Sequence, residues 1–194
     1  TAKGVDGVVL RVTTGESAAN GTVGDAWGFV FNLTLRGGPM RYETHQYMEF
    51  RYVQVDVLAG SFDVATNLDV GAWTAEYPYD AAESSFDSSD ATLDGVYELA
   101  RWTVEAGVLD TFTDSNTRER RPYEADMLCA GTARLWVQRD AALLRHSVSY
   151  VLEAPTWPVE WLQMAPLLAW ADYMATGETV VAETYADLLR NDTR

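Results

Sequence analysis

The chain has 194 residues, 47% of them hydrophobic, a formal net charge of −15 and a pI near 4.3. That length and apolar content can build the core of one domain or two small ones, and they exclude a chain disordered by composition. An acidic surface repels a nucleic-acid backbone or an anionic membrane, so neither is expected as a partner, whereas a neutral carbohydrate meets no such barrier.

The first part of the chain reads as strands. Val8, Leu10 and Val12 alternate with Val9, Arg11 and Thr13, and Phe29, Phe31, Leu33 and Leu35 alternate with Val30, Asn32, Thr34 and Arg36. This is the period of two of a half-buried strand. Gly37-Gly38-Pro39 breaks the chain. Residues 48–57 are β-rich and apolar on both faces, which predicts a central strand, and Val64, Thr66, Leu68 and Val70 alternate again. Residues 1–74 are therefore expected to form a portion of an antiparallel β-sandwich.

Residues 75–91 read as a linker, rich in Asp, Ser, Glu and Tyr and carrying Pro78. Beyond it the period turns helical. Ser89 or Asp90 can cap a helix with Leu93, Val96, Tyr97, Ala100 and Val104 on one face, ended by Gly107. A second helix is predicted over residues 124–138. Asp140 caps a third, with Leu144, Ser147, Val148, Val151 and Leu152 on one side. A fourth spans residues 159–175, kinked or started by Pro166 and stopped by Gly177. A fifth carries Val181, Tyr185, Leu188 and Leu189. Strands followed by helices mean an α+β chain or two domains.

Between the first two helices lies Asp114-Ser115-Asn116-Thr117-Arg118-Glu119-Arg120-Arg121-Pro122-Tyr123-Glu124-Ala125-Asp126. Carboxyls this close, held beside arginines, match what sugar cleavage requires. One must stay protonated to donate to the leaving oxygen, and others must stay ionised to grip hydroxyls and stabilise an oxocarbenium-like charge. A solvated charged turn is the competing reading of any charge run. Against it stand the apolar patterns on both flanks and a motif match residue by residue.

The segment resembles the α-L-rhamnosidases of glycoside hydrolase family 78, whose pattern is an Asp, then Arg-Glu-Arg or Arg-Asp-Glu-Arg, then an aromatic, usually Trp, then an Asp. Here it reads Asp114, Arg118-Glu119-Arg120, Tyr123 and Asp126. The resemblance implies that Glu119 is the general acid, that Asp114, Arg118 and Asp126 hold rhamnose hydroxyls, and that Tyr123 lines the sugar site where the family has Trp. Residues 47–55 resemble the family's "FRYVEV" strand. Pro155-Thr156-Trp157-Pro158-Val159-Glu160-Trp161, then Ala169-Trp170-Ala171-Asp172-Tyr173 and Thr176-Gly177-Glu178, resemble a later helical stretch. Trp161 is a further candidate for stacking on sugar, set against helix-core packing. The resemblance also implies a β-sandwich followed by an (α/α)6 barrel, the motif on the loop after the first barrel helix, and inversion of the anomeric centre. Five helices do not close six hairpins, and the family's general base, a Glu far beyond the motif, has no counterpart here. The chain is accordingly expected to be a part of a larger enzyme, with the remainder of that enzyme or a second copy as partner and an α-L-rhamnoside as substrate.

The remaining signals are weaker. Seven Trp and ten Tyr serve a core, and aromatics also stack on sugars. Cys129 is the only cysteine, expected as a small buried residue on the second helix, so no internal disulfide forms. With only His45 and His146, both expected to be structural, no zinc site and no Ser-His-Asp arrangement is expected. Residues 110–119 lack the central Gly of a calcium loop; no cofactor is expected. No signal peptide or membrane-spanning run is visible. Asn20-Gly21-Thr22, Asn32-Leu33-Thr34 and Asn191-Asp192-Thr193 fit the glycosylation pattern, which favours secretion over the cytoplasm. Three readings stay open: an inverting rhamnosidase, a carbohydrate-binding protein without turnover, and a structural piece whose charged cluster is an ion-pair network.

Overall fold

The computed structural model describes residues 1–24, 28–157 and 160–192. The predicted start of the fourth helix at residue 159, Pro158 and Val159 of the aromatic stretch, and Thr193 of the last glycosylation pattern lie outside them. By contacts the chain divides into two compact units, Thr1–Ala75 with Asn116–Arg118, and Glu76–Ser115 with Glu119–Arg194. Antiparallel sheets make up the first and helices the second, so the chain is α+β.

In the first unit, β1 (Ala2–Gly4) pairs with β6 (Gly38–Met40), and β3 (Ser17–Ala19) with β4 (Thr22–Gly24). Asn20 and Gly21 connect β3 to β4 with φ of 52° and 76°, the left-handed pair that a two-residue hairpin turn demands. A three-stranded sheet has β2 (Val9–Gly15) between β5 (Val30–Thr34) and β7 (Tyr52–Ala59). Leu10 faces Leu33 on one side and Val57 on the other. Ala2, Val8, Leu10 and Leu35 form the buried centre. Two expectations fail here. The strand predicted over residues 48–57 begins only at Tyr52 and lies at the sheet edge, so it needs no apolar cover on both faces. Residues 64–67 are a helical turn, α1 (Val64–Asn67), because the Asp63 carboxylate accepts from the Ala65 N–H at 3.0 Å and caps it. Only Leu68 then reaches the sheet, bridging to Ala2.

The second unit holds α2 (Ala91–Ala106), α3 (Glu124–Val137), α4 (Ala142–Glu153), α5 (Met164–Thr176), α6 (Val180–Thr184) and α7 (Ala186–Asp192). Asp90 caps α2 by accepting from the Thr92 N–H at 2.8 Å, and Gly107 ends it. The face predicted for α2 is only partly covered: Leu93, Val96 and Ala100 are exposed, Tyr97 and Val104 are half-buried, and α2 has no fully buried residue; Leu99 and Trp102, off that face, are exposed as well. The expected face of α4 is buried throughout, Leu144, Ser147, Val148, Val151 and Leu152 included. It packs with Val108, Phe112, Met127, Leu168 and Val181 in one core. Helices α3 and α4 approach closely at Gly131, where a Cβ would stand 2.6 Å from Leu144 Cδ1. Pro166 falls within the first turn of α5, where a missing N–H is harmless, and Gly177 caps the other end at φ 73°. The predicted fifth helix is two, broken at Tyr185, which with Leu189 packs on the core.

A buried charge ties α4 to α5. Asp172 is 1% exposed, and its two carboxylate oxygens accept from Arg145 Nε at 3.0 and 2.9 Å. The same guanidinium donates to Thr176 Oγ1 at 3.0 Å and Glu178 at 2.7 Å. Removing one partner strands the other in a low-dielectric interior. Arg145→Met is expected to lower unfolding free energy by about 3 kcal/mol in urea titrations, and Arg145→Met/Asp172→Leu to recover most of it. Equal stability of Arg145→Met and the parent chain would contradict this.

Candidate active site

The charged segment leaves the helical core at Phe112 and re-enters it at Glu124. Val108 and Phe112, paired across a short antiparallel bridge, are each 1% exposed, and the Phe112 N–H donates to buried Ser147 Oγ at 3.4 Å. On the other side Glu124, Met127, Gly131 and Arg134 form the buried stripe of α3. Residues 113–123 are thus a loop anchored at both ends. The loop also closes on itself. Asp114 N–H donates to Arg121 O at 3.0 Å, and Arg121 N–H returns a bond to Asp114 Oδ1 at 3.0 Å. Inside that ring the Glu119 N–H donates to Ser115 Oγ at 3.2 Å. Arg120, next in sequence, takes φ 57°, a left-handed conformation that a non-glycine residue adopts only where its surroundings enforce it.

The sequence-predicted residues fall around this loop as follows. Glu119 is exposed near the tip of the ring. Arg118 is exposed and groups by contacts with the first unit. Asp126, in the first turn of α3, is half-buried. Burial pushes its carboxyl above the usual range, a hydrogen bond with its own backbone pulls it down, and the charge of Asp114 pushes it up again. Tyr123 meets Trp161 edge-on, with ring centroids 6.0 Å apart and planes at 80°. Trp157 completes the group, 6.3 Å from Tyr123 and 5.6 Å from Trp161, its side chain 51% exposed. Acids that accept hydroxyl protons beside a half-open aromatic cluster can hold a polyol with one apolar face.

Two buried charged residues of α3 escaped sequence reasoning. Glu124, 1% exposed, accepts from the Thr156 N–H at 2.7 Å through Oε1 and from the Thr156 hydroxyl through Oε2. The signal was available: Glu124 stands three, seven and ten positions before Met127, Gly131 and Arg134, so it lies on the apolar stripe and must be paired. Arg134 on the same stripe stacks on Tyr77 and Tyr79, at 5.0 and 5.6 Å, and donates to Pro78 O at 2.8 Å.

Cys129 is exposed, on the solvent side of α3, and not buried as expected. His45 and His146 are exposed as well. Among the described residues no group of three or more His, Cys, Asp or Glu is arranged to hold a metal, and no helix is long and apolar enough to cross a membrane.

A family model described as the bacterial alpha-L-rhamnosidase 6 hairpin glycosidase domain matches residues 81–191, more than half of the chain and all of the loop. Neither curated proteins nor solved structures give a match.

The raised Asp126 carboxyl has a thermodynamic consequence. Folding tightens its proton, so the folded state loses stability as pH rises from the ordinary carboxylate range of the unfolded chain through the higher folded value. Asp126→Asn removes that penalty. It is expected to melt above the parent chain at about pH 7 and to lose the advantage at about pH 3, where the carboxyl is protonated in both states. A difference independent of pH in circular dichroism melts would contradict the assigned cause.

Proposed function

The chain belongs to the bacterial alpha-L-rhamnosidase 6-hairpin glycosidase family, and from that premise we propose that it serves the hydrolysis of terminal α-L-rhamnosyl residues with inversion, Glu119 donating the proton. The observation that carries the reading is the closed loop between Asp114 and Arg121, which presents Glu119 within its ring and brings the charge of Asp114 to bear on Asp126. Glu119 protonates the glycosidic oxygen as the bond breaks. Asp114 and Asp126 accept from vicinal hydroxyls, and Arg118 donates to a hydroxyl and fixes a carboxylate. Tyr123 and Trp161 present apolar ring faces to the sugar.

In this reading α2 to α7 are the opening hairpins of an (α/α)6 barrel, and residues 1–74 are a portion of a β-sandwich that precedes it. The exposed Leu93, Val96, Leu99 and Trp102 of α2 support further helical cover, from the rest of the same enzyme or a second copy. Inversion requires a base on the opposite face of the sugar, separated from the acid by room for a water. None is assigned within these 194 residues, so the chain by itself is expected to hydrolyse aryl rhamnosides negligibly, and the protein carrying the complete barrel to do so with inversion.

Two variants of that protein test the roles. Glu119→Gln keeps shape but cannot donate a proton. Its kcat/KM on a rhamnosyl disaccharide is expected to fall by about 10²–10⁴-fold, and by less on an aryl rhamnoside, whose phenolate leaves with little help. Asp114→Asn should weaken both substrates alike, since it grips the sugar and not the leaving group. An undiminished disaccharide rate in Glu119→Gln would move the acid elsewhere in the cluster.

A further inference from the structure

The chain after α4 runs through Ala154, Pro155, Thr156 and Trp157 without regular secondary structure. Something other than helix or sheet hydrogen bonds must hold Trp157 in place. The contact that does so is Thr156 on Glu124. The carboxylate accepts both the backbone N–H and the hydroxyl of Thr156, one on each oxygen, and it is 1% exposed. Hydrogen bonds to an ionised acceptor are about twice as strong as neutral ones, and a buried one is expensive to leave unmade.

The position of this latch matters for function. Glu124 follows Tyr123 directly, and Thr156 precedes Trp157 directly. Tying Glu124 to Thr156 therefore sets the two neighbouring rings, whose centroids stand 6.3 Å apart, and through Trp157 it sets the ring of Trp161. Glu124 is also the first residue of α3, while Asp126 lies in the same turn. One buried carboxylate thus fixes the aromatic wall relative to Asp126 in the first turn of α3. We propose that Glu124 is a positioning residue that holds Trp157 against Tyr123, so that the half-exposed Trp157 ring forms a sugar-facing wall. The sugar-facing half of this inference rests on the glycosidase reading above; the latch itself does not.

The experiment separates the two halves. Affinity for methyl α-L-rhamnoside is measured by calorimetry on the full chain and on Glu124→Gln, Trp157→Ala and the double variant. In parallel, 5-fluorotryptophan spectra are recorded, with the Trp157 signal assigned by its loss in Trp157→Phe. Glutamine cannot accept both Thr156 donors without rearrangement, so Glu124→Gln is expected to weaken binding about tenfold and to shift or broaden the Trp157 signal while the Trp102 signal stays. The double variant should bind no worse than Trp157→Ala, because Glu124 acts through that ring. Thr156→Val removes one donor and should act in the same direction; it replaces Glu124→Gln if that variant does not fold. Unchanged affinity in a folded latch variant, or losses that multiply in the double variant, would overturn the proposal. If the parent chain binds no rhamnoside, the sugar-facing half of the proposal fails, and the fluorine signal alone decides the latch: a moved Trp157 signal upholds it and an unmoved one sinks it.

Discussion

A charged loop takes one shape only where something outside it sets that shape, and here that is the apolar core beneath α3 and α4. Phe112 closes the loop at one end and Met127 at the other, both buried in the same cluster as Leu144, Val148 and Leu168. Fixing both ends of the loop in one core removes much of the freedom its chain would otherwise have, by burial that the helices require anyway. The reciprocal bonds between Asp114 and Arg121 then narrow the loop to one ring.

That arrangement carries strain and repulsion. Arg120 is held at positive φ, and Asp126 is kept half-buried within reach of the Asp114 charge. A protein of net charge −15 gains nothing in stability from concentrating acids in one loop. Such local penalties persist only where the surrounding structure holds them in place. The buried carboxylate of Asp172, by contrast, is met directly by the guanidinium of Arg145, which joins α4 to α5.

Much of this was legible in the sequence, and the misses have physical causes. The caps at Asp90 and Gly177 and the buried face of α4 followed from local chemistry, which tertiary packing did not override. Alternation misled at residues 64–70 because a capping carboxylate at Asp63 outweighed a weak β pattern. The apolar pattern of α2 was read as a face, but only Tyr97, stacked on Phe86, and Val104 are half-buried, while Leu93, Val96 and Ala100 stay exposed. Cys129 read as apolar, yet it falls beside the buried stripe of α3, not on it. The motif singled out Asp114, Glu119, Tyr123 and Asp126 as candidates, but nothing in it revealed that Glu124 answers Thr156, because the partner lies thirty-two positions along the chain. Pairings of that range are visible only once the helices are packed.

The most direct measurement is a titration of the isotope-labelled chain with methyl α-L-rhamnoside, followed by amide and indole chemical shifts, with the D-enantiomer as control. The account predicts that the L-sugar alone moves the amides of residues 113–126 and the indoles of Trp157 and Trp161. Shifts that map elsewhere, or that the two enantiomers produce alike, would contradict it.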